Sequence, residues 1–338
     1  MGNDGPGPWP SHPSNDRSQE DSEDGLSDAS SVLTQVGNDE FPRHFSEREG
    51  RLFPAHRGSP YPLPVDGGEQ QRLNALHYIL YERLNSHYRG PVREVLAGEQ
   101  GRHRRVLDLC TGTGIWVTDM ADIFTNVRFS GIDIVPIAPR TTPRNVHFEI
   151  ADATQPLRWH DGTMDFVHAR SVSMAVADYR RMLSEVARVL RRGGLFFSGE
   201  ILRKVTFDQD YFNGEPAVDA PRTENFYRII NRALAFRNLD NYAEGIADCV
   251  RTSGQFGSVR RENHVIPIGE WSSSSSGRRL GAIYRDNLAM FARNFKPMLR
   301  DAGHPDNFID EIIEGFLDDM GTVRGMVGVY QTVWARRC

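Results

Sequence analysis

The sequence predicts an α/β fold in which helices cover both faces of a mostly parallel sheet. Two observations carry this prediction. From Val106 onwards, short apolar segments typical of strands alternate with segments whose apolar residues recur at helical spacing. The first of these strands also runs directly into the glycine-rich stretch Thr111-Gly112-Thr113-Gly114, after which apolar spacing typical of a helix resumes. Strands and crossover helices therefore form the predicted architecture.

Composition limits the class of protein. The chain has 338 residues, of which 39% are hydrophobic and 25% charged, and its net charge is -5, as expected of a globular protein with a large core. This balance gives no general attraction to nucleic acid or to an anionic membrane, so we expect direct contact with neither. No secretory leader and no run of about 18 apolar residues occurs, which predicts a location in the cytoplasm or the nucleus.

The cysteines favour neither a disulfide framework nor a zinc site. There are three, Cys110, Cys249 and Cys338, and no two of them have CxxC spacing. Reduced thiols in an intracellular compartment fit this pattern.

The elements are predicted in chain order as follows. Prolines 60, 62 and 64 enforce an extended segment, and an amphipathic helix spans about 69–88. Five strands follow at about 105–109, 127–134, 146–152, 164–170 and 194–200, and a helix over 178–194 ends at Gly193-Gly194. A strand at 258–269, a serine-rich loop at 272–276, a helical region at about 279–318 and a final strand at 327–337 complete the pattern.

The glycine-rich loop indicates a nucleotide-like ligand. Glycines after a first strand let backbone N–H groups approach a ligand closely, and the following helix N-terminus favours negative charge. A nicotinamide fingerprint that begins at Gly112 requires glycine at position 117, which is Val117. A phosphate-binding loop requires Gly-Lys-Ser or Gly-Lys-Thr, which the chain lacks. Dehydrogenases and nucleotide triphosphatases are therefore disfavoured.

The remaining pattern, Asp108-Leu109-Cys110-Thr111-Gly112-Thr113-Gly114, resembles motif I of class I methyltransferases that use S-adenosylmethionine. The resemblance implies a Rossmann-like fold with a mostly parallel seven-stranded sheet. It also implies that Asp133, at the end of the second strand, accepts hydrogen bonds from the ribose hydroxyls. Asp152, at the end of the third strand, would bind the adenine amino group. Cys110 departs from the family, which has glycine there, and we interpret it as a small buried residue beneath the cofactor.

A closer resemblance covers residues 60–200. The segments "YPLPVDGGEQQRLNALHY", "LDLCTGTGIWVTDMAD", "GIDIVPIAP", "NVHFEIAD" and "DFVHAR" are similar to the fungal LaeA-like, or UMTA-type, methyltransferases. That family includes enzymes of secondary metabolism that methylate small molecules and nuclear regulators that act with velvet-type protein partners. The aromatic-rich stretch 207–238 suits a pocket for a small-molecule acceptor and favours the enzyme. The regulator remains the alternative.

The resemblance assigns site residues. Those predicted to bind the cofactor are Asp108, Cys110, Thr111, Gly112, Thr113, Gly114, Asp133, Ile134, Asp152, Ala153, His168 and Arg170.

His168 and Glu200 are the candidate catalytic bases, since both lie where strands end at the ligand-binding edge of the sheet. His168 can equally be a half-buried structural residue, and Arg170 can hold either a carboxylate of the cofactor or an acidic acceptor. His77 and Arg72 are candidates to close over the cofactor, and otherwise are a residue beside the core and a surface arginine. Trp116 is expected to be a packing residue in preference to a ring over the adenine. No metal site is expected, because no cluster of acids and amides follows the fourth strand.

The domain organisation follows from these assignments. Residues 1–45 are rich in Ser, Asp, Gly, Asn and Pro and are predicted to form a disordered tail. Residues 46–338 form the methyltransferase domain, with a helical lid at 60–100, the cofactor-binding core at 104–200, and the acceptor pocket with a helical insertion and the last strands at 201–338.

Overall fold

The computed structural model describes residues 36–98, 102–239 and 242–338, so most of the predicted tail lies outside the described residues. Its last part is ordered by a 3-10 helix, Phe41–His44, and by a hairpin of strands β1 (Phe45–Arg48) and β2 (Arg51–Pro54). Glu49 and Gly50 both have positive φ, 53° and 70°, as tight hairpin turns require. The regular structure of the described chain thus begins at Phe41, close to the predicted end of the tail.

The predicted amphipathic helix is confirmed as α1 (Gly67–Leu84). It begins because the Asp66 carboxylate caps it by accepting the Glu69 N–H at 3.3 Å. It ends at Asn85, whose φ of 51° is left-handed, a few residues earlier than the sequence predicts. A tertiary contact also holds the start of the helix, because Asp66 accepts a hydrogen bond from the Arg51 side chain of the hairpin at 2.6 Å.

The sheet confirms the predicted architecture. Its strands are β3 (Arg104–Leu109), β4 (Val127–Asp133), β5 (Val146–Ile150), β6 (Met164–Arg170), β7 (Leu190–Ile201), β8 (Thr206–Phe207), β9 (Phe256–Pro267) and β10 (Met326–Arg337). Strands β3 to β7 are parallel in the order β5-β4-β3-β6-β7, β10 is antiparallel beside β7, and β9 lies outside β10. The two-residue β8 pairs with the start of β10 and so continues the line of β7. The long strands therefore form the expected seven-stranded, mostly parallel sheet.

Helices cover both faces, as predicted. They are α2 (Val92–Val95), α3 (Ile115–Ile123), α4 (Tyr179–Val189), α5 (Pro216–Asp219), α6 (Pro221–Ala235), α7 (Ile246–Thr252), α8 (Ser275–Asn294), α9 (Lys296–Asp301) and α10 (Asp306–Thr322). One apolar core joins α2 and α3 to the sheet, and a second joins α4 and α7 to the other face. A third core joins α1 to the helical insertions α6 and α8 to α10. Among the described residues, no helix is long and apolar enough to span a membrane.

Two sequence predictions about helices need correction. Helix α4 ends at Val189 instead of Gly193-Gly194, because Leu190 is extended (φ −70°, ψ 136°), fully buried and paired with Met164. The helical region near the C-terminus is three helices, since Pro297 and Pro305 can only occupy helix beginnings. In the first case strand pairing overrides helix periodicity, and in the second the prolines divide the region.

Candidate functional site

A cavity opens at the edge of the sheet where the parallel strands end. Open α/β sheets bind ligands at this carboxyl edge. The cavity is lined by these residues from the glycine-rich loop and the strand ends: Cys110, Thr111, Gly112, Thr113, Ile115, Asp133, Ile134, Ala151, Asp152, Ala153, Thr154, Arg170 and Ser171. We call it the cofactor cavity. Most residues that the sequence assigns to the cofactor therefore line one continuous space.

The glycine-rich loop has the geometry that its sequence requires. Positive φ recurs at alternate positions, 52° at Cys110, 57° at Gly112 and 71° at Gly114. A Cβ atom at Gly114 would lie 2.4 Å from Cζ of Phe148, so only glycine fits there. Helix α3 begins immediately after the loop, which brings its N-terminus to the cavity.

Asp133 and Asp152 lie at this edge as separate acidic groups. Asp133 accepts hydrogen bonds from the backbone N–H of Gly112 (2.8 Å) and of Val135 (3.1 Å). Burial raises the pKa of Asp133 to about 6 despite these bonds. Oδ1 of Asp152 accepts the N–H and the hydroxyl of Thr154, at 2.8 and 2.7 Å. Backbone donors thus hold both carboxyl groups in place at the ends of β4 and β5.

Asp108 and His168 lie behind the loop and line neither the cofactor cavity nor the second cavity described below. Asp108 accepts a hydrogen bond from the Thr111 hydroxyl at 2.7 Å and contacts Nδ1 of His168 at 2.6 Å. The His168 ring stacks on Trp116 at a centroid distance of 3.5 Å and is 2% exposed. Burial lowers the pKa of His168, and the Asp108 carboxylate opposes that shift. This geometry favours the structural alternative for His168 and packing for Trp116.

Arg170 reaches the cofactor cavity from the end of β6. Its Nη2 donates to Nδ1 of His77 at 3.0 Å, and Nε2 of His77 lies 2.8 Å from a carboxylate oxygen of Asp119. His77 itself lines the cavity, as expected, whereas Arg72 does not. Arg72 is buried on the other side of α1, bound to Glu69 at 2.6 Å and to Asn287 at 3.3 Å.

Sequence reasoning missed one wall of the cavity. Residues 54–61, which follow the β1–β2 hairpin, contribute Pro54, His56, Gly58, Ser59, Pro60 and Tyr61 to its lining. Gly50 is the one turn-forming residue between Phe45 and Phe53, and the residues beside it are polar without an alternating apolar pattern, so the local sequence does not predict this hairpin.

A second cavity adjoins the first. Both are lined by Tyr61, Leu73, Leu76 and Ser171, so they share a wall. The remaining lining of the second cavity combines apolar and aromatic side chains with several polar ones. It comes from α1, from β7 and the segments after β6 and β7, and from the helical insertions: Arg72, Ser173, Met174, Glu200, Ile201, Leu202, Arg203, Tyr227, Tyr284, Asn287, Leu288 and Phe291.

Glu200 is the carboxyl group of this second cavity. One of its oxygens accepts the backbone N–H groups of Val172 (2.8 Å) and Ser173 (3.2 Å). Burial raises its pKa to about 7, so the group exchanges a proton close to neutral pH. Of the two candidate bases, Glu200 lines a cavity and His168 does not.

Comparison with known proteins agrees with this geometry. A methyltransferase domain family matches residues 106–194. The chain is 28% identical to "Secondary metabolism regulator laeA" of Coprinopsis cinerea over 78% of this chain and 66% of that protein. It is 27% identical to "Methyltransferase pytC" of Aspergillus terreus, over 73% of this chain and 72% of that protein. It is 23% identical to "Protein-methionine methyltransferase laeA" of Emericella nidulans, over 77% and 66%.

The matched region spans about two thirds of the laeA relatives, from 62% to 66% in Aspergillus niger, Coprinopsis cinerea and Emericella nidulans. The family match lies within β3 to β7 and includes the glycine-rich loop, Asp133, Asp152 and Arg170. The chain therefore carries a class I, S-adenosylmethionine-dependent methyltransferase domain and is related in sequence to the fungal LaeA-like methyltransferases.

Proposed function

We propose that this protein transfers a methyl group from S-adenosylmethionine to a small-molecule acceptor in fungal secondary metabolism. One observation carries the proposal: the cofactor cavity and the aromatic second cavity share a wall formed by Tyr61, Leu73, Leu76 and Ser171. Methyl transfer needs a nucleophile held in line with the methyl group, so donor and acceptor sites must adjoin.

The residues of the first cavity fit S-adenosylmethionine. Gly112 lines the cavity, and because an added Cβ there would find no neighbour closer than 4.0 Å, the bare backbone leaves room for a ligand. Asp133 offers its carboxyl group to the ribose hydroxyls. Asp152 and Ala153 would contact the adenine, and Cys110 to Thr113, with Ile134, would surround the middle of the ligand. When bound, the cofactor supplies a methyl group activated by its sulfonium.

Glu200 is the proton acceptor in this proposal. It lines the second cavity, its carboxyl group is fixed by the Val172 and Ser173 N–H groups, and its pKa of about 7 suits the removal of a proton from a hydroxyl or amine near neutral pH. Tyr227, Tyr284 and Phe291 form walls that suit a planar or apolar acceptor. His168, by contrast, would support the loop through Asp108.

The second candidate is a nuclear regulator that acts with velvet-type protein partners. The names of the relatives favour it, since the Coprinopsis cinerea protein is called a secondary metabolism regulator and the Emericella nidulans protein a protein-methionine methyltransferase. For such a protein the acceptor is a polypeptide and the location is nuclear; for the small-molecule enzyme we expect the cytoplasm.

Labelling separates the two candidates. The purified protein is incubated with S-adenosylmethionine that carries a radioactive methyl group and with an extract from a strain that lacks the gene. We expect label in the small-molecule fraction and, in the deletion strain, loss of one methylated metabolite with accumulation of its precursor. The Asp133→Ala variant, in which cofactor binding should be weaker, is the control and should transfer less label. Label confined to protein, together with the silencing of several unrelated pathways in the strain, would reject the small-molecule proposal.

A further inference from the structure

The cofactor cavity carries its charges at two ends. Among the described residues that line it, Asp133 and Asp152 are acidic and Arg170 is the one arginine or lysine. The strand order β5-β4-β3-β6 places Asp152 and Arg170 three strands apart, or about 14 Å at the usual strand spacing. A ligand whose adenine and ribose lie at the acidic end therefore extends towards a guanidinium at its other end.

The contacts of His77 determine the state of its ring. Nδ1 accepts the N–H of Arg170 at 3.0 Å, so the proton of the neutral ring must be on Nε2, which donates to Asp119 at 2.8 Å. Burial, and then the charge of Arg170, lowers the pKa of His77 to about 2. His77 is therefore neutral and forms hydrogen bonds with both the Arg170 guanidinium and the Asp119 carboxylate.

These contacts also exclude a metal ion at the same place. One ring nitrogen of His77, one of His87 and a carboxylate oxygen of Asp119 lie within 4.8 Å of one another. They are close enough to bind one metal ion together. A metal ion at Nε2 of His77 would need a free lone pair on that nitrogen. Because Nδ1 accepts the Arg170 N–H, the neutral ring carries its proton on Nε2, and no lone pair is free there. The cluster is thus better suited to orient Arg170 than to bind a cation.

We propose that Arg170 binds the carboxylate at the amino-acid end of S-adenosylmethionine, and that His77 and Asp119 are positioning residues that orient its guanidinium. The inference rests on the proposed function. The planar guanidinium has five N–H donors, so the bond to His77 fixes its orientation while further donors remain for a carboxylate. Helix α1 carries His77 and α3 carries Asp119, which makes the orientation of Arg170 depend on how these helices pack at the end of β6.

Two ligands that differ only at the amino-acid end test the proposal. S-Adenosylhomocysteine carries the carboxylate, whereas 5′-methylthioadenosine lacks the whole amino-acid group but retains adenine, ribose and sulfur. Isothermal calorimetry should show that Arg170→Met weakens the first ligand by about 10- to 100-fold, the range for a charged hydrogen bond, and the second by less than about twofold. His77→Phe should weaken S-adenosylhomocysteine by about 3- to 10-fold and leave 5′-methylthioadenosine unchanged.

The positioning role is tested by combining the variants. In the Arg170→Met background, His77→Phe should have no further effect on S-adenosylhomocysteine, because there is no guanidinium left to orient. Asp119→Asn should weaken S-adenosylhomocysteine binding in the same way but by less than His77→Phe does. It takes the place of His77→Phe if that variant does not fold. Gln71→Ala, at an exposed site on the same helix, is the matched control and should bind both ligands as the wild type does.

The outcomes distinguish this inference from the proposed function. Equal weakening of both ligands by Arg170→Met, or an undiminished effect of His77→Phe in its background, overturns the inference and leaves the methyltransferase proposal standing. Failure of the wild-type protein to bind either ligand overturns the proposed function and, with it, the inference.

Discussion

The two cavities are built in different ways. The two acidic groups of the cofactor cavity accept hydrogen bonds from backbone N–H groups two residues further along the chain, Asp133 from Val135 and Asp152 from Thr154. The second cavity is lined by side chains from helices that are far apart in sequence, such as Leu76, Tyr227 and Leu288. Recognition of adenine and ribose therefore depends mainly on short segments at the strand ends, whereas recognition of the acceptor depends on how the insertions pack.

The largest expected effect is at Gly114, which ends the glycine-rich loop and whose backbone lies directly against Phe148. Gly114→Val would place a Cβ 2.4 Å from Phe148 and force a β-branched residue to φ 71°. We expect about 100-fold weaker cofactor binding and a loss of about 2–4 kcal/mol in the free energy of unfolding, measured by calorimetry and urea denaturation.

Gly162→Val is the matched control for Gly114→Val. Gly162 also has positive φ, 68°, but its nearest neighbour to an added Cβ is Cα of Arg191 at 3.7 Å, and it lines neither cavity. It should show only the backbone cost of about 1–2 kcal/mol and normal cofactor affinity. Normal affinity in Gly114→Val as well would contradict the close backbone approach.

Asp133→Ala should have the next largest effect. Because the carboxylate is expected to accept the ribose hydroxyls, we expect binding to weaken by about 1–3 kcal/mol in calorimetry. With the pKa of Asp133 at about 6, the carboxylate forms as the pH rises through 6, so wild-type affinity should increase between pH 5 and 7. Asp133→Asn should lose this dependence; its persistence would assign the titration to another group.

Glu200→Gln separates the second cavity from the first. Burial raises the pKa of Glu200 from 4.5 to about 7 in the folded protein. The contribution of this group to the free energy of unfolding is therefore fully present below pH 4.5 and is lost as the pH rises through 7. Glutamine mimics the protonated group, so urea denaturation should find the variant more stable than the wild type at pH 8, by on the order of 1–3 kcal/mol, and similar at pH 4.5.

The cofactor affinity of Glu200→Gln tests the comparison of the two cavities more directly than its stability does. We expect it to stay within about twofold of wild type, since Glu200 lines only the second cavity. A tenfold loss would mean that the two cavities do not act as separate sites.

The smallest effect is expected at Cys110, where the chain departs from its family. Its φ of 52° is unfavourable for any residue with a Cβ. Cys110→Gly should relieve that strain while Cys110→Ala keeps it, so urea denaturation should find the glycine variant more stable than the alanine variant by about 1 kcal/mol. If the alanine variant is instead the more stable one, contacts of the Cβ atom must compensate for the backbone strain, because both variants lose the thiol.

Much of the cofactor half was predictable from local patterns. The strands β3 to β6, the loop and the edge positions of Asp133, Asp152 and Arg170 follow from apolar periodicity and glycine placement. The role of His168 did not follow, because its contact with Asp108 and its stacking on Trp116 join residues from three separate elements. The predicted end of α4 was wrong for a related reason, because helix periodicity does not reveal the pairing of Leu190 with Met164.

By itself, the sequence determined the elements and the order in which chemical groups appear along the sheet edge, because backbone propensity and apolar periodicity act over a few residues. Only the tertiary structure decided which side chains meet. It brought residues 54–61 over the cavity, placed Glu200 in the second cavity and left His168 behind the loop. It also joined Arg170, His77 and Asp119. Such contacts depend on the packing of elements distant in sequence, and burial there sets the pKa values on which the chemistry depends.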